Sequence, residues 1–244
     1  MRDDNVINFV SRHEVVILDL CHTFMFDCDR FSDSKSYSRA YTKIGGTRLS
    51  DLQVESAIER TFSILHDAGK HPENFEAFPQ VRTVLAAVAK ELNINSDEIE
   101  FLEEVFALHE VGTIPTDYAE VLKELRKKHR LGLLSNIWVR KTKYEEEMKK
   151  AGTYGLFENI VFSSDHGMLK PSRKLFDIAL EPFRIDRSKV VYIGDSFERD
   201  VVGAKWSGLS SVWISLGKPV PEGSILRPDQ IIDDLRNLAG GSVS

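Results

Sequence analysis

Cysteine is nearly absent: Cys21 and Cys28 are the only two in 244 residues. Two thiols are too few for a disulfide framework. Long apolar runs are missing as well; none approaches the roughly 18 residues that a membrane-spanning helix needs. The opening Met1-Arg2-Asp3-Asp4-Asn5 lacks the apolar core of a signal peptide. A reduced, cytoplasmic protein with no membrane partner is therefore expected. Nor is there any basic excess, since 32 Lys and Arg stand against 38 Asp and Glu for a net charge of -6. With no basic excess to neutralise phosphates, the balance argues against nucleic acid, and none is expected as a partner. Repeats and low-complexity tracts are also missing, and Gly240-Gly241-Ser242 reads as a loose tail. What is present, 42% hydrophobic and 29% charged residues, suits an ordinary globular chain. Its length allows one large domain or a core with an insertion.

The stretch Val15-Val16-Ile17-Leu18 reads as a strand buried on both faces, because its four apolar residues include three that are β-branched. It delivers Asp19 at its carboxyl end, where open α/β sheets bind ligands. Asp27 to Ser38 turns polar and loop-like. Up to Gly112 the pattern is then helical. Ser50 and Asp51 cap a helix that stops at Gly69; Val81, Val84, Leu85 and Val88 mark a second after Pro79; Asn95-Ser96-Asp97 caps a third. From Thr113 strands and helices alternate. Thr116 or Asp117 caps a helix ending in Arg126-Lys127-Lys128, cations that suit a helix C-terminus. Leu131–Leu134, Ile160–Phe162, Val190–Ile193 and Ser211–Ile214 read as strands, and Ile231, Ile232, Leu235 and Leu238 as the face of a last helix. The expected fold is α/β: a Rossmann-like doubly wound parallel sheet core, residues 1–26 and 113–244, with an inserted all-helical cap domain, residues 27–112.

A parallel sheet puts the strand ends on one edge, gathering Asp19, Ser135, Asn136, Lys170, Asp195 and Asp200. Clustered carboxylates repel unless a cation joins them, and hard oxygen ligands without Cys or His suit Mg²⁺. A lysine and a hydroxyl beside the metal make a cradle for a dianion such as phosphate, and a carboxylate there can attack phosphorus.

These residues carry a resemblance. Asp19-Leu20-Cys21-His22-Thr23, Leu134-Ser135-Asn136, Gly167-Met168-Leu169-Lys170-Pro171 and Gly194-Asp195-Ser196 through Asp200 follow the four motifs of the haloacid dehalogenase-like superfamily in order. The chain resembles the subgroup whose helical cap lies between the first two motifs. The resemblance implies Asp19 as nucleophile, with Ser135, Asn136 and Lys170 binding the phosphoryl group. It implies Mg²⁺ on Asp19, Asp195 and the backbone carbonyl of Cys21, with Asp200 in support. Gly194-Asp195-Ser196 separates the chain from dehalogenases, which lack that acid, so a small phosphorylated substrate is expected. A monomer or homodimer would suffice.

The first motif departs from the pattern. Phosphatases of this kind carry a second Asp two residues after the nucleophile, then Gly; here Cys21 and His22 stand there. That Asp handles protons for the leaving group and for water, and losing such help costs roughly 10²- to 10⁴-fold. Three outcomes stay open: a slow phosphatase, a hydrolase of substrates needing no acid (acyl phosphates, phosphonates), or a binding module that keeps the fold and metal. His22 is a candidate replacement acid-base group, set against a loop residue facing away. Cys21, His22 and Cys28 match no usual zinc spacing. Arg48, with Arg39 and Lys43 near the hinge-like Gly45-Gly46 turn, is a candidate contact for an anionic substrate, set against ordinary surface charge. Trp138 reads as pocket lining or core.

Overall fold

The computed structural model describes residues 2–31 and 35–239; residues 32–34 of the expected loop and the Gly240-Gly241-Ser242 tail lie outside the described residues. Six strands pair in parallel: β1 (Val15–Leu18), β2 (Arg130–Ser135), β3 (Phe157–Phe162), β4 (Val190–Gly194), β5 (Ser210–Ile214) and β6 (Gln230–Ile232). Their order is β3-β2-β1-β4-β5-β6, so the chain reverses its direction of travel between β1 and β4. That reversal opens a crevice at the strand carboxyl ends. Leu18 lies opposite Ile193, which brings Asp19 and Asp195 out on neighbouring strands.

All four β1 side chains are buried, each worth about 1.5–3 kcal/mol over exposure. Alternation sorts them between two layers. Val15, Ile17, Val190 and Tyr192 pack with Leu175 and Phe176 of α8 (Arg173–Leu180) and Ala204 of α9 (Val202–Trp206). Val16, Leu18, Val191 and Ile193 belong to the cluster holding Val6 and Val10 of α1 (Arg2–Val10), Val121 and Leu122 of α6 (Thr116–Lys128), and Met148 of α7 (Thr142–Lys150). Helices on both faces explain why the strands read as continuous apolar runs.

Between β1 and α6 lies a block of α2 (Lys35–Lys43), α3 (Asp51–Ala68), α4 (Val81–Glu91) and α5 (Ile99–Glu110). Ser50 and Gln53 form a capping box at the start of α3. Asn95 accepts from the Asp97 amide and opens the turn that leads into α5. The two crossings between block and sheet run side by side, Phe26 and Thr113 exchanging hydrogen bonds of 2.8 Å. Only glycine fits at position 112, because a Cβ there would stand 2.1 Å from the Phe26 carbonyl oxygen.

Several expectations need correction. Ile231 and Ile232 form β6 and not a helix, since parallel pairing with β5 captures them; Leu235–Leu238 is a short 3₁₀ turn. Pro115 occupies the N-cap of α6, and neither Thr116 nor Asp117 does. Gly45-Gly46 follows α2 within the block. The helix α1, unread in the sequence, packs on β6 and the 235–238 turn. Among the described residues no helix is long and apolar enough to cross a membrane.

Candidate active site

Asp19 leaves β1 with its amide still bonded to the Ile193 carbonyl at 2.9 Å, so the sheet ladder fixes its backbone. Its Oδ1 accepts from Ser135 Oγ at 3.0 Å and from Lys170 Nζ at 2.6 Å. Ser135 ends β2, the neighbouring strand. Lys170 is only 2% exposed, and its ammonium also donates to Asp200 Oδ1 at 2.7 Å and meets the Tyr192 hydroxyl at 2.8 Å. Three partners match its three donors. Tyr192 in turn donates to the Leu134 carbonyl at 2.8 Å. Asn136 grips the backbone of the same lysine, its Oδ1 accepting from the Lys170 amide at 2.8 Å.

Gly194 makes room for the last carboxylate. A Cβ at that position would stand 2.3 Å from Asp200 Oδ2, so any side chain would push Asp200 out of the site. Asp200 Oδ2 accepts from the Ser196 amide at 2.9 Å, which commits both of its oxygens. One oxygen each of Asp19, Asp195 and Asp200 lies within 4.8 Å of the others, the one group among the described residues that could hold a metal.

The electrostatics follow from packing acids together out of water. Burial first, then the charges of Asp19 and Asp200, push Asp195 up to about 8. Burial likewise raises Asp200, with Lys170 pulling against it. Burial pulls the Lys170 ammonium down, but Asp19 and Asp200 more than offset this and hold it above its ordinary value. Cys21 is held protonated by its hydrogen bond with the Cys28 thiol, then by burial and the charge of Asp19.

Other expected residues sit differently. His22 is exposed at φ +57°, the left-handed region that glycine enters freely, and its amide donates to the Met25 carbonyl at 2.8 Å. Arg48 is not brought to the cluster; its side chain is 66% exposed and faces Asp97 and Glu98 at 3.7 Å. Arg39 and Lys43 are exposed on α2. Trp138 is half-buried, its ring packed with Phe62, Phe78 and Phe106 between block and sheet. Sequence reasoning missed Tyr192 and Arg199. Tyr192 shares the alternating face of Val190 on β4, a signal that could have placed it under the site.

The pattern of the haloacid dehalogenase-like hydrolases matches residues 89–214, more than half of the chain and the part that carries Ser135, Lys170, Asp195 and Asp200. Pyrimidine 5'-nucleotidase YjjG of Escherichia coli is 29% identical over 154 residues, which are 62% of this chain and 65% of that protein. A glyceraldehyde 3-phosphate phosphatase of Methanopyrus kandleri is 31% identical over 104 residues, 38% of this chain and 45% of that one. The chain thus spans less than two thirds of the length of either relative. A 2-haloacid dehalogenase of Pseudomonas syringae shares the fold, with a TM-score of 0.66 at 22% identity over 93% of this chain and 96% of that one. Matched sequence and matched sheet therefore converge on the edge where Asp19 meets Lys170, and the chain belongs to the haloacid dehalogenase-like hydrolase family.

Proposed function

We propose that the chain hydrolyses a small phosphorylated molecule with Asp19 as nucleophile and Mg²⁺ as cofactor. An Asp19 carboxylate oxygen attacks phosphorus, the bond from phosphorus to the leaving oxygen breaks, and an aspartyl-phosphate forms. Water then attacks that phosphorus, releasing inorganic phosphate and restoring Asp19. Lys170 and Ser135 orient the attacking carboxylate through the bonds that converge on Oδ1, and with Asn136 they line the phosphoryl position. Asp200, spent on Lys170 and the Ser196 amide, holds the lysine in line.

The donor set fits Mg²⁺. Asp19 and Asp195 offer hard carboxylate oxygens, and the Cys21 backbone carbonyl would supply a third; the upward shift of Asp195, from burial and then the charges of Asp19 and Asp200, supports a cation there. When bound, the ion neutralises charge on the phosphoryl oxygens and the carboxylates. The helical block, residues 27–112, acts as the cap that shields the site from water. Fold likeness alone does not separate a phosphatase from a dehalogenase. The Asp195 carboxylate supports the phosphatase reading, since it offers a hard oxygen to a metal beside Asp19.

One observation carries the reading: Asp19, Ser135, Lys170 and Asp200, from four distant segments, meet in one hydrogen-bonded group. A second reading, a catalytically weak binding module, draws on the protonated thiol at position 21. A panel of alkyl, aryl and acyl phosphates and phosphonates with Mg²⁺ separates the two. Phosphate release by the wild type and its loss in Asp19→Asn is the expected result. Silence across the panel favours the binding module.

A further inference from the structure

Arg199 precedes Asp200 in the π-helical turn Phe197–Val201, yet its guanidinium reaches away from the carboxylates. Nη1 donates to the Lys170 carbonyl and Nη2 to the Gly69 carbonyl, both at 2.6 Å, and the group lies 4.7 Å from the centre of the Phe75 ring. Gly69 closes α3, an 18-residue helix, so its carbonyl stands at the negative end of the helix dipole. A half-buried cation here spans the helical block and the backbone of the active-site lysine. It is not alone. The Leu169 amide donates to the Phe75 carbonyl at 2.9 Å, and the Phe78 amide to the Gly167 carbonyl at 2.7 Å. Ser172 Oγ donates to Glu76 at 2.5 Å, and Lys174 pairs with that glutamate at 2.8 Å. Segment 69–78 of the block thus clasps the 167–174 loop along its length, with Arg199 at the middle.

We propose that Arg199 is a positioning residue that couples docking of the helical block to the alignment of Lys170 on Asp19. The lysine is pinned at three places: its amide by Asn136, its carbonyl by Arg199 at 2.6 Å with a longer bond of 3.4 Å from Asn136 Nδ2, and its ammonium by Asp19, Asp200 and Tyr192. Of these, the Arg199 bond alone also ties down the block. Lifting the block pulls on Gly69 and Phe75, frees the guanidinium and loosens the lysine's backbone. The ammonium is then aligned only when the block is seated.

Hydrogen exchange and steady-state kinetics on wild type, Arg199→Met and Arg199→Lys test this; the kinetic arm rests on the phosphatase reading, the exchange arm does not. In Arg199→Met, exchange at the Leu169 and Phe78 amides should rise about 10-fold or more while β1 and β4 stay protected. With p-nitrophenyl phosphate and Mg²⁺, kcat should fall about 10- to 100-fold through misplacement of the lysine. KM should move less than about threefold, and Arg199→Lys should restore part of kcat. Unchanged exchange at Leu169 and Phe78, or a rise spread evenly over the sheet, overturns the coupling. So does a raised KM with kcat intact. A wild type inert toward p-nitrophenyl phosphate leaves the phosphatase reading to the wider panel and the exchange result to decide the coupling.

Discussion

At position 21 the thiol meets the Cys28 thiol, a buried wall and the charge of Asp19, and each favours the protonated form. A neutral thiol can lend a proton to a departing alkoxide but cannot take one from water. The second half of the proposed reaction, hydrolysis of the aspartyl-phosphate, is therefore the slow half. Cys21→Asp supplies a carboxylate at that point and should raise turnover of alkyl phosphates by about 10-fold or more, within the range of general acid-base help. A turnover number that stays flat would show that position 21 does not limit the rate. His22 stands beside Cys21 with a left-handed backbone and an exposed side chain.

Glu110 shows how elements, rather than single side chains, set the site. It ends α5, is buried, and accepts from the Trp138 amide at 2.6 Å and the Val139 amide at 2.9 Å. It thereby ties the helical block to the loop that follows Ser135 and Asn136. Burial first, then the charge of Asp29, push its carboxyl up to about 8. The folded state thus keeps a proton that the unfolded chain releases above about 4.5. Stability from this group is full below that pH and is lost as pH rises toward 8. Glu110→Gln retains one acceptor for two amides and should cost about 1–3 kcal/mol. It should also flatten the fall in melting temperature between pH 5 and 8; a parallel profile in both proteins would discount Glu110 as the titrating group.

At the scale of the whole molecule, the parallel sheet turns distant sequence into one edge. That much was legible: five short apolar runs gave the sheet, and the ends of three of them placed Asp19, Ser135 and, one residue past Gly194, Asp195. Periodicity also gave α3, α4 and α5, whose buried stripes are long enough to see. The helix α1 escaped because two buried valines, Val6 and Val10, make too short a stripe. Ile231 and Ile232 misled because three-residue β6 is defined by its neighbour and not by its own pattern. The roles of Tyr192, Glu110 and Arg199 were invisible, since each depends on partners from 22 to 130 residues away. The acidic edge also sets a global pH response. Without a divalent ion, the folded chain keeps the Asp195 proton that the unfolded chain releases above 3.8, so stability falls as pH rises toward 8. Mg²⁺ binds the ionised form, so its stabilising shift in melting temperature should be larger at pH 8 than at pH 6 and should vanish in Asp195→Ala. An equal shift in that variant would move the ion elsewhere.

The most direct test is to mix the protein with an acyl phosphate and Mg²⁺, quench in acid and weigh the peptide that contains Asp19. With no carboxylate at position 21 to activate water, the account predicts that this peptide accumulates one phosphoryl group during turnover, and that Asp19→Asn abolishes both the adduct and phosphate release. Phosphate release that persists in Asp19→Asn, with no adduct at any quench time, would contradict it.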